Sequence, residues 1–323
     1  MKAIRIHQFG PSEDVLQYED VSVPEPKTGE VLIKVEAASL NRADLSLRKG
    51  AYRISPDQLP VIPGRECAGT IEKLGANVSE FKTGQRVVGY PSLGGYAQYA
   101  VVKSSEVRPI PDAVTFPQAA ALPTAFLTAW FGLKTDGALK GGEWLLVQAG
   151  SSGVGTAAVQ IAKHWGAKVI ATTGSEEKAR RLRQLGADAT IDVSQNDFLP
   201  EVMRATNHRG ADVVLEMIGG EVYQKSLQAL APAGRLVSIG GAFGAIPESP
   251  PALSDGRKAT RFSITNYLKA KPEDLKALDE ILKLVAEKKF QVVIGKTFPL
   301  AETRAAQRYL EGREHFGKVM LTM

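Results

Sequence analysis

A glycine-rich segment, residues 149–155 with the sequence Ala-Gly-Ser-Ser-Gly-Val-Gly, separates an apolar stretch from an amphipathic one. Glycines permit a tight turn and let backbone N–H groups approach a phosphate, and the positive end of a following helix attracts the same anion. Gly155 also allows close helix-to-strand packing, as in dinucleotide sites. We therefore predict cofactor contacts from the loop residues Gly150, Ser151, Ser152, Gly153, Val154 and Gly155.

The spacing of this loop is imperfect, because Ser152 stands where the usual Gly-x-Gly-x-x-Gly pattern has its middle glycine. A purely structural turn is the alternative. The nucleotide site is favoured because strand, loop, helix and second strand follow in the order of a βαβ unit.

The end of the second strand bears on the choice of cofactor. It reads Thr172-Thr173-Gly174-Ser175, followed by Lys178, and lacks the acidic residue that would bind the ribose hydroxyls of NAD. Gly174 leaves room for a 2′-phosphate, Ser175 can hydrogen-bond it and Lys178 supplies positive charge, so we predict NADPH. Alternatively, Ser175 begins a helix and Lys178 lies in water, and both interpretations can hold together.

Strands and helices alternate in the middle of the chain, which predicts right-handed βαβ units and an α/β fold with a doubly wound parallel sheet. The helix after the loop has an apolar stripe from Val154 to Trp165. Each predicted strand is short and apolar, as expected for a strand covered on both faces: Trp144 to Gln148, Lys168 to Thr172, Ala189 to Ile191, Asp212 to Glu216 and Leu236 to Ile239.

The two ends of the chain have a different texture. Residues 1 to about 120 contain short extended segments separated by glycine and proline, which predicts a β-rich, barrel-like domain. The tail contains one amphipathic helix, Pro272 to Glu287, and a strand near Lys318 to Thr322. We expect this tail to rejoin the first domain, because a lone helix and strand cannot form a core.

Composition narrows the class of protein. The chain has 323 residues, 44% hydrophobic residues and a net charge of +5. Because its basic residues are spread along the chain, nucleic acid is an unlikely partner. The single cysteine, Cys67, excludes an internal disulfide and fits a reducing cytoplasm, and no segment is apolar enough to cross a membrane. A small buried thiol is favoured over a nucleophile for Cys67.

The sequence resembles the quinone oxidoreductase, zeta-crystallin-like branch of the medium-chain dehydrogenase/reductase superfamily along its whole length. The resemblance rests on the phosphate loop and three other segments: Asn41 to Asp44, Arg48 to Tyr52 and Pro63 to Gly69. It implies a GroES-like catalytic domain (residues 1–121 and 262–323), a Rossmann NADPH-binding domain (residues 122–261), an active site in the cleft and a homodimer.

The resemblance also bears on zinc. Zinc-dependent members of the superfamily bind the metal through a cysteine at the position of Asn41 and a histidine at the position of Arg65. A guanidinium cannot bind zinc. Asp44 and Glu66 persist, but beside an arginine they favour an ion pair over a metal site, so we expect a zinc-independent protein.

Three candidate catalytic residues follow from these segments: Asn41, Asp44 and Tyr52. Asn41 and Tyr52 are expected to form a polar wall, with Tyr52 donating to the oxyanion that develops after hydride transfer. Turn residues or an ordinary loop aromatic are the alternatives. Without zinc as a Lewis acid, the expected acceptor is an activated small molecule, a quinone or another α,β-unsaturated carbonyl.

Further cofactor contacts are expected from a helix and two glycine-rich turns. Thr128 lies in a segment similar to the family helix that meets the nicotinamide, although a threonine bonded within its own helix is the alternative. The turn contacts are expected from Ile218, Gly240, Gly241 and Phe243.

Two departures weaken the analogy, and three functional alternatives stay open. Many relatives have tyrosines where this chain has Ser46 and Val193, which affects the quinone preference and the NADPH preference respectively. The alternatives are an enoyl or 2-alkenal reductase, a biosynthetic protein acting on a carrier-bound acyl chain, and a non-enzymatic protein that binds nucleotide or RNA.

Overall fold

The computed structural model describes residues 1–51, 54–240, 244–247 and 251–323. The chain forms two compact units. The discontinuous unit comprises residues 1–124 and 275–323, and the central unit comprises residues 125–274. The boundaries lie at Thr124/Ala125 and Asp274/Leu275, whereas the boundaries predicted from the sequence follow residues 121 and 261.

The strands of the described residues follow in chain order: β1 (Lys2–Ile6), β2 (Leu16–Asp20), β3 (Glu30–Ser39), β4 (Cys67–Leu74), β5 (Arg86–Gly89), β6 (Tyr99–Lys103), β7 (Val107–Pro109), β8 (Trp144–Val147), β9 (Lys168–Thr173), β10 (Ala189–Asp192), β11 (Ala211–Glu216), β12 (Leu230–Ser238), β13 (Lys258–Arg261), β14 (Ile294–Pro299) and β15 (Lys318–Thr322).

The α-helices of the same residues are α1 (Arg42–Arg48), α2 (Phe116–Ala120), α3 (Pro123–Phe131), α4 (Gly153–His164), α5 (Glu176–Gln184), α6 (Phe198–Ala205), α7 (Gly220–Gln228), α8 (Ile264–Ala270), α9 (Ala277–Ala286) and α10 (Thr303–Glu311).

The central unit contains a six-stranded parallel sheet in the order β10-β9-β8-β11-β12-β13. This is the strand order of a doubly wound nucleotide-binding fold, and it reverses direction between β8 and β11. The side chains of β11 are buried along its whole length, because helices cover both faces of such a sheet. The predicted doubly wound α/β fold is confirmed.

Helix α4 carries the predicted apolar stripe, but its burial extends further. Residues 155–162 are all buried, including the polar Thr156 and Gln160. The indole rings of Trp130 and Trp165 meet edge to face with centroids 5.0 Å apart. Helix α3, which carries Trp130, therefore packs at the end of α4 within the central unit.

Two strands differ from the prediction. β12 begins at Leu230 rather than near Leu236, because its first half contains Pro232 and Gly234, residues that signal a turn in sequence. β13 was not predicted at all. Its four residues are exposed or half-buried at the edge of the sheet, so they lack the apolar run of a central strand.

The discontinuous unit contains a mainly antiparallel sheet in the order β14-β15-β3-β4-β5-β7, with β6 also paired to β3. The last strand, β15, pairs with β3 from near the amino terminus. The core of this unit includes Ile33, Ile71 and Val319. The predicted helix from Pro272 begins instead as a 3-10 turn, and α9 follows from Ala277. In the described part of the chain, no helix meets the length and apolarity that a membrane span requires.

Candidate functional site

The predicted phosphate loop lies at the carboxyl edge of the parallel sheet, between the end of β8 and the start of α4. β8 adjoins β11, so the loop lies at the strand-order reversal where such sheets bind their ligands. Ser152 caps α4, because its hydroxyl accepts a hydrogen bond from the Gly155 N–H at 3.0 Å. The helical geometry provides no intrahelical acceptor for the N–H groups of Gly153 and Val154.

Glycine is required within this loop by close contacts. A Cβ atom on Gly155 would lie 2.6 Å from the carbonyl oxygen of Gly150, and one on Gly150 would lie 2.9 Å from the Cβ of Ala171. The loop therefore packs its backbone directly against α4 and β9. Ser152, which stands where the usual pattern has a glycine, serves as the N-cap of α4.

The residues expected at the 2′-phosphate follow β9. A Cβ atom on Gly174 would have no heavy atom within 4 Å, so there is open space at this position. The Ser175 hydroxyl caps α5 by accepting a hydrogen bond from the Lys178 N–H at 3.3 Å, as the helix-start alternative predicts. Its own O–H remains a donor. Val193 is 44% exposed.

The turn after β11 is held by a buried carboxylate. Glu216 accepts hydrogen bonds from the N–H groups of Ile218 at 2.7 Å and Gly219 at 2.9 Å. Its other carboxyl oxygen, Oε2, is buried and has no hydrogen-bond partner among the described residues. Burial raises the pKa of Glu216, and the hydrogen bonds from the turn oppose that rise. Gly219 has a φ of +86°, which favours glycine there.

The remaining predicted cofactor contacts are only partly described. Gly240 has a φ of +64°, and a Cβ atom added there would meet no described heavy atom within 4 Å, whereas Gly241 and Phe243 lie outside the described residues. Thr128 is buried in α3.

The discontinuous unit contains a buried polar group that we call the carboxylate cluster: Ser39, Asn41, Asp44, Glu66, Tyr96 and Lys318. Glu66 lies at its centre with no exposed surface. One oxygen, Oε1, accepts from Ser39, from Asn41 Nδ2 at 2.8 Å and from Lys318 Nζ at 2.8 Å. The other oxygen accepts from the Thr124 N–H at 2.6 Å. All of the donors come from within the discontinuous unit.

The charge of Glu66 is balanced internally. Burial raises the pKa of its carboxyl, but the Lys318 ammonium and the hydrogen bonds of the cluster outweigh burial and bring the pKa below its ordinary value. From the sequence, an arginine was expected to pair with the carboxylates of this segment. The ion pair of Glu66 is instead with Lys318, at 2.8 Å, a residue 252 positions away.

Lys318 also sets the orientation of the candidate catalytic amide. Its Nζ lies 2.7 Å from Asn41 Oδ1 and 3.0 Å from the carbonyl oxygen of Leu40. An ammonium can only donate, so the Asn41 atom that faces it must be the carbonyl oxygen. The amide nitrogen then faces Glu66, which leaves one of its two N–H groups for another acceptor.

The second candidate, Asp44, caps a helix. Its carboxylate accepts from the Asn41 backbone N–H at 2.8 Å and from the Tyr96 hydroxyl at 2.7 Å. Burial raises the pKa of Asp44, while Arg65 and Tyr96 oppose the rise. The third candidate, Tyr52, lies outside the described residues. Burial raises the pKa of Cys67 to about 12, as expected for a buried thiol.

Sequence reasoning missed Lys318 and Tyr96. Each lies in or beside a strand, and its polar end reaches a partner that is distant in sequence. One signal was present in the sequence, the glycine at position 64. In the structure Gly64 has a φ of +92°, and a Cβ atom there would lie 2.8 Å from the backbone nitrogen of Tyr96. The Pro63–Gly69 segment therefore packs directly against Tyr96. In the central unit, three further polar residues were missed: Gln148, Thr172 and Ser226.

Each of the two units contains a segment that matches a known protein family. Residues 27–112 match the alcohol dehydrogenase GroES-like domain, and residues 153–283 match the zinc-binding dehydrogenase family. The Homo sapiens quinone oxidoreductase is 32% identical over 325 residues, covering 100% of this chain and 98% of that protein. A quinone oxidoreductase of Escherichia coli, solved in complex with NADPH, has 29% identity and a TM-score of 0.93, covering 100% of both chains.

A mycobacterial biosynthetic protein is also similar. One component of the phenolphthiocerol/phthiocerol polyketide synthase of Mycobacterium tuberculosis is 33% identical over 326 residues, which is 99% of this chain and 15% of that protein. The likeness to the human protein spans both units. The chain therefore belongs to the medium-chain dehydrogenase/reductase family, with the quinone oxidoreductases among its relatives.

Proposed function

We propose that this protein is an NADPH-dependent oxidoreductase that transfers hydride to a quinone or another α,β-unsaturated carbonyl compound without zinc. The observation that carries the proposal is the glycine loop at the reversal point of the parallel sheet, closed by the Ser152 cap on α4. The family and the relative solved with NADPH support the same cofactor.

The residues of the central unit fit this cofactor. Backbone N–H groups at the start of α4 suit the pyrophosphate, and a side chain on Gly155 would collide with the loop. Open space at Gly174 and the hydroxyl of Ser175 suit a 2′-phosphate. When bound, NADPH supplies the hydride, and the protein has to hold it in place and exclude water. Thr128, Ile218, Gly240, Gly241 and Phe243 are proposed as further contacts.

The donor set does not fit a catalytic zinc ion. Zinc binds thiolate, imidazole or carboxylate, whereas the two family positions carry the amide of Asn41 and the guanidinium of Arg65. The Lys318 ammonium already occupies the space between Asn41 Oδ1 and Glu66. A second cation beside it would be repelled, so we propose that no step uses a metal.

The missing Lewis acid bears on the acceptor. A quinone or enone delocalises the incoming charge onto its oxygen, where a single hydrogen-bond donor stabilises it. We propose that the remaining N–H of Asn41, held by Lys318 and Glu66, is one such donor, and that Tyr52 is another. Asp44 is engaged by Asn41 and Tyr96, so we assign it to positioning Asn41.

An enoyl thioester is the second candidate acceptor. It is also an α,β-unsaturated carbonyl compound, and the likeness to a segment of a polyketide synthase favours it specifically. A 2-alkenal would use the same chemistry.

Our proposal of a homodimer formed through the central unit, in the cytoplasm, rests on the family resemblance and is tested by light scattering at several protein concentrations.

Acceptor-dependent oxidation of NADPH tests the function. The loss of nicotinamide absorbance is followed with quinones, enones, 2-alkenals and enoyl thioesters, with and without a chelator, and then with NADH. We expect turnover with at least one conjugated carbonyl, resistance to the chelator and a preference for NADPH. Chelator-sensitive turnover would contradict the metal-free mechanism, and no binding of either dinucleotide would overturn the proposed redox role.

A further inference from the structure

Three buried polar side chains form a chain of hydrogen bonds behind the phosphate loop. Gln148 follows β8, Thr172 lies in β9 and Ser226 lies in α7. The Thr172 hydroxyl donates to Gln148 Oε1 at 2.7 Å, and Gln148 Nε2 donates to Ser226 Oγ at 3.1 Å. All three residues have 1% or less of their surface exposed, so water does not compete for these bonds.

The direction of this chain is set by the backbone of the loop. The Ala149 N–H donates to Thr172 Oγ1 at 3.2 Å, so the Thr172 oxygen acts as an acceptor there and its O–H points elsewhere. That O–H requires the oxygen of the Gln148 amide, which turns the Gln148 nitrogen toward Ser226. One arrangement of donors and acceptors therefore accounts for these three hydrogen bonds.

Thr172 holds the first two residues of the loop. Besides the bond from Ala149, its carbonyl oxygen accepts from the Gly150 N–H at 2.7 Å. Ala149 has a φ of +51°, a left-handed conformation that is uncommon outside glycine and persists when surrounding contacts enforce it. The bonds to Thr172 are such contacts, and they act where the chain leaves β8 for the loop.

We propose that Thr172, oriented by Gln148 and Ser226, is a positioning residue that holds the loop ready for the pyrophosphate of the dinucleotide. This inference rests on the proposed function, because it uses the same cofactor site. The three side chains carry no net charge. They support the part of the loop that binds the pyrophosphate, a group that NADPH and NADH have in common. They therefore raise the affinity for NADPH and NADH alike and do not select between them.

Thr172→Val in the full-length protein tests the proposal. Valine keeps the shape but removes the acceptor for Ala149 and leaves a partly buried N–H unpaired. We expect the Kd of NADPH and of NADH, measured by fluorescence titration, to rise by the same factor, about tenfold. Thr172→Ser restores the hydroxyl and should recover most of the affinity. With saturating NADPH, kcat should change far less than KM for the cofactor.

A matched control separates positioning from general stability. Thr206 is another buried threonine of the central unit, whose hydroxyl accepts from the Gly210 N–H at 2.9 Å and donates to Val202 O at 2.8 Å. Thr206→Val should lower the unfolding temperature without changing either Kd. Adenosine 2′-monophosphate lacks the pyrophosphate, so its affinity should be the same in wild type and Thr172→Val.

Coupling between residues tests the chain itself. Gln148→Leu should raise the Kd of both dinucleotides less than Thr172→Val does. In the double variant the Kd should rise by less than the product of the two single-variant factors. If the effects of the two substitutions were independent, the proposed role of the hydrogen-bond chain would be overturned. Unchanged Kd values in Thr172→Val, or an altered preference for NADPH, would overturn it as well. A wild-type protein that binds neither dinucleotide would instead refute the proposed function.

Discussion

The two polar regions of this protein solve the problem of burial differently. In the discontinuous unit, the Glu66 carboxylate meets its cation, Lys318, inside the same unit. In the central unit, the network of Gln148, Thr172 and Ser226 is uncharged, and the positive end of α4 remains for a ligand. In the first region the charge is neutralised within the unit, whereas in the second the positive helix end can bind an anion.

This difference indicates what each region contributes. A closed ion pair orients neighbouring groups, here the Asn41 amide, but it attracts no ion of its own. A neutral brace keeps the loop in shape without competing with the phosphate for the helix dipole. Substitutions in the first region should therefore act on stability and amide orientation, while those in the second should act on cofactor affinity.

The largest effect is expected from Lys318→Met. It removes the cation from a fully buried carboxylate, which should lower the free energy of unfolding by about 3–5 kcal/mol. Urea unfolding measures this loss. The double variant Lys318→Met with Glu66→Gln removes both charges and should recover part of the stability. No recovery would contradict an ion pair balanced within the unit.

The pH dependence of stability should change with the same variant. The lowered pKa of Glu66 stabilises the wild type above the ordinary carboxyl value, and this contribution is lost as the pH falls through the lowered pKa. In Lys318→Met, burial is unopposed by the ammonium, so stability should instead fall as the pH rises past the ordinary value. Unfolding curves across the acid range distinguish these opposite trends.

The next effect contrasts two glycines at the same sheet edge. Gly155→Ala forces a Cβ atom to 2.6 Å from the Gly150 carbonyl oxygen, whereas Gly174→Ala enters open space. The first should cost about 1–3 kcal/mol of stability and weaken NADH binding; the second should change neither by much. Thermal unfolding and NADH titration provide the comparison, which fails if both variants behave alike.

Gly174→Asp sharpens the contrast between shape and charge at the cofactor edge. A carboxylate there repels a 2′-phosphate and can bind ribose hydroxyls. The ratio of kcat/KM for NADPH to that for NADH should fall about tenfold or more. Gly174→Asn, of nearly the same size but neutral, is the control. An equal shift with asparagine would show that space, rather than charge, sets the preference.

The smallest effect is expected at Glu216, the one acid in the described part of the central unit that braces a loop with an unpaired buried oxygen. Its raised pKa means that stability declines as the pH rises from the ordinary carboxyl value through the raised one. Glu216→Gln should remove that decline in unfolding curves across the acid range, because a neutral amide does not titrate.

The success of sequence reasoning varied with the range of the interactions. The phosphate loop and the strands beside it were predicted because glycines, apolar runs and helix periodicity are local signals. β13 was missed because an edge strand needs no apolar run. Tyr96 and Lys318 were missed for another reason: their partners, Asp44 and Glu66, lie 52 and 252 residues away, and no local pattern indicates such a pairing.

By itself, the sequence determined the strands and the helix beside the phosphate loop, the anion-binding turn and the absence of zinc-ligand types at positions 41 and 65, since these depend on residue identity and short spacing. Only the tertiary structure decided which cation neutralises Glu66, which way the Asn41 amide faces and what braces Ala149. Those outcomes depend on donors and acceptors that meet within hydrogen-bonding distance after the chain has folded, because a buried polar group must find its partner wherever the fold brings one.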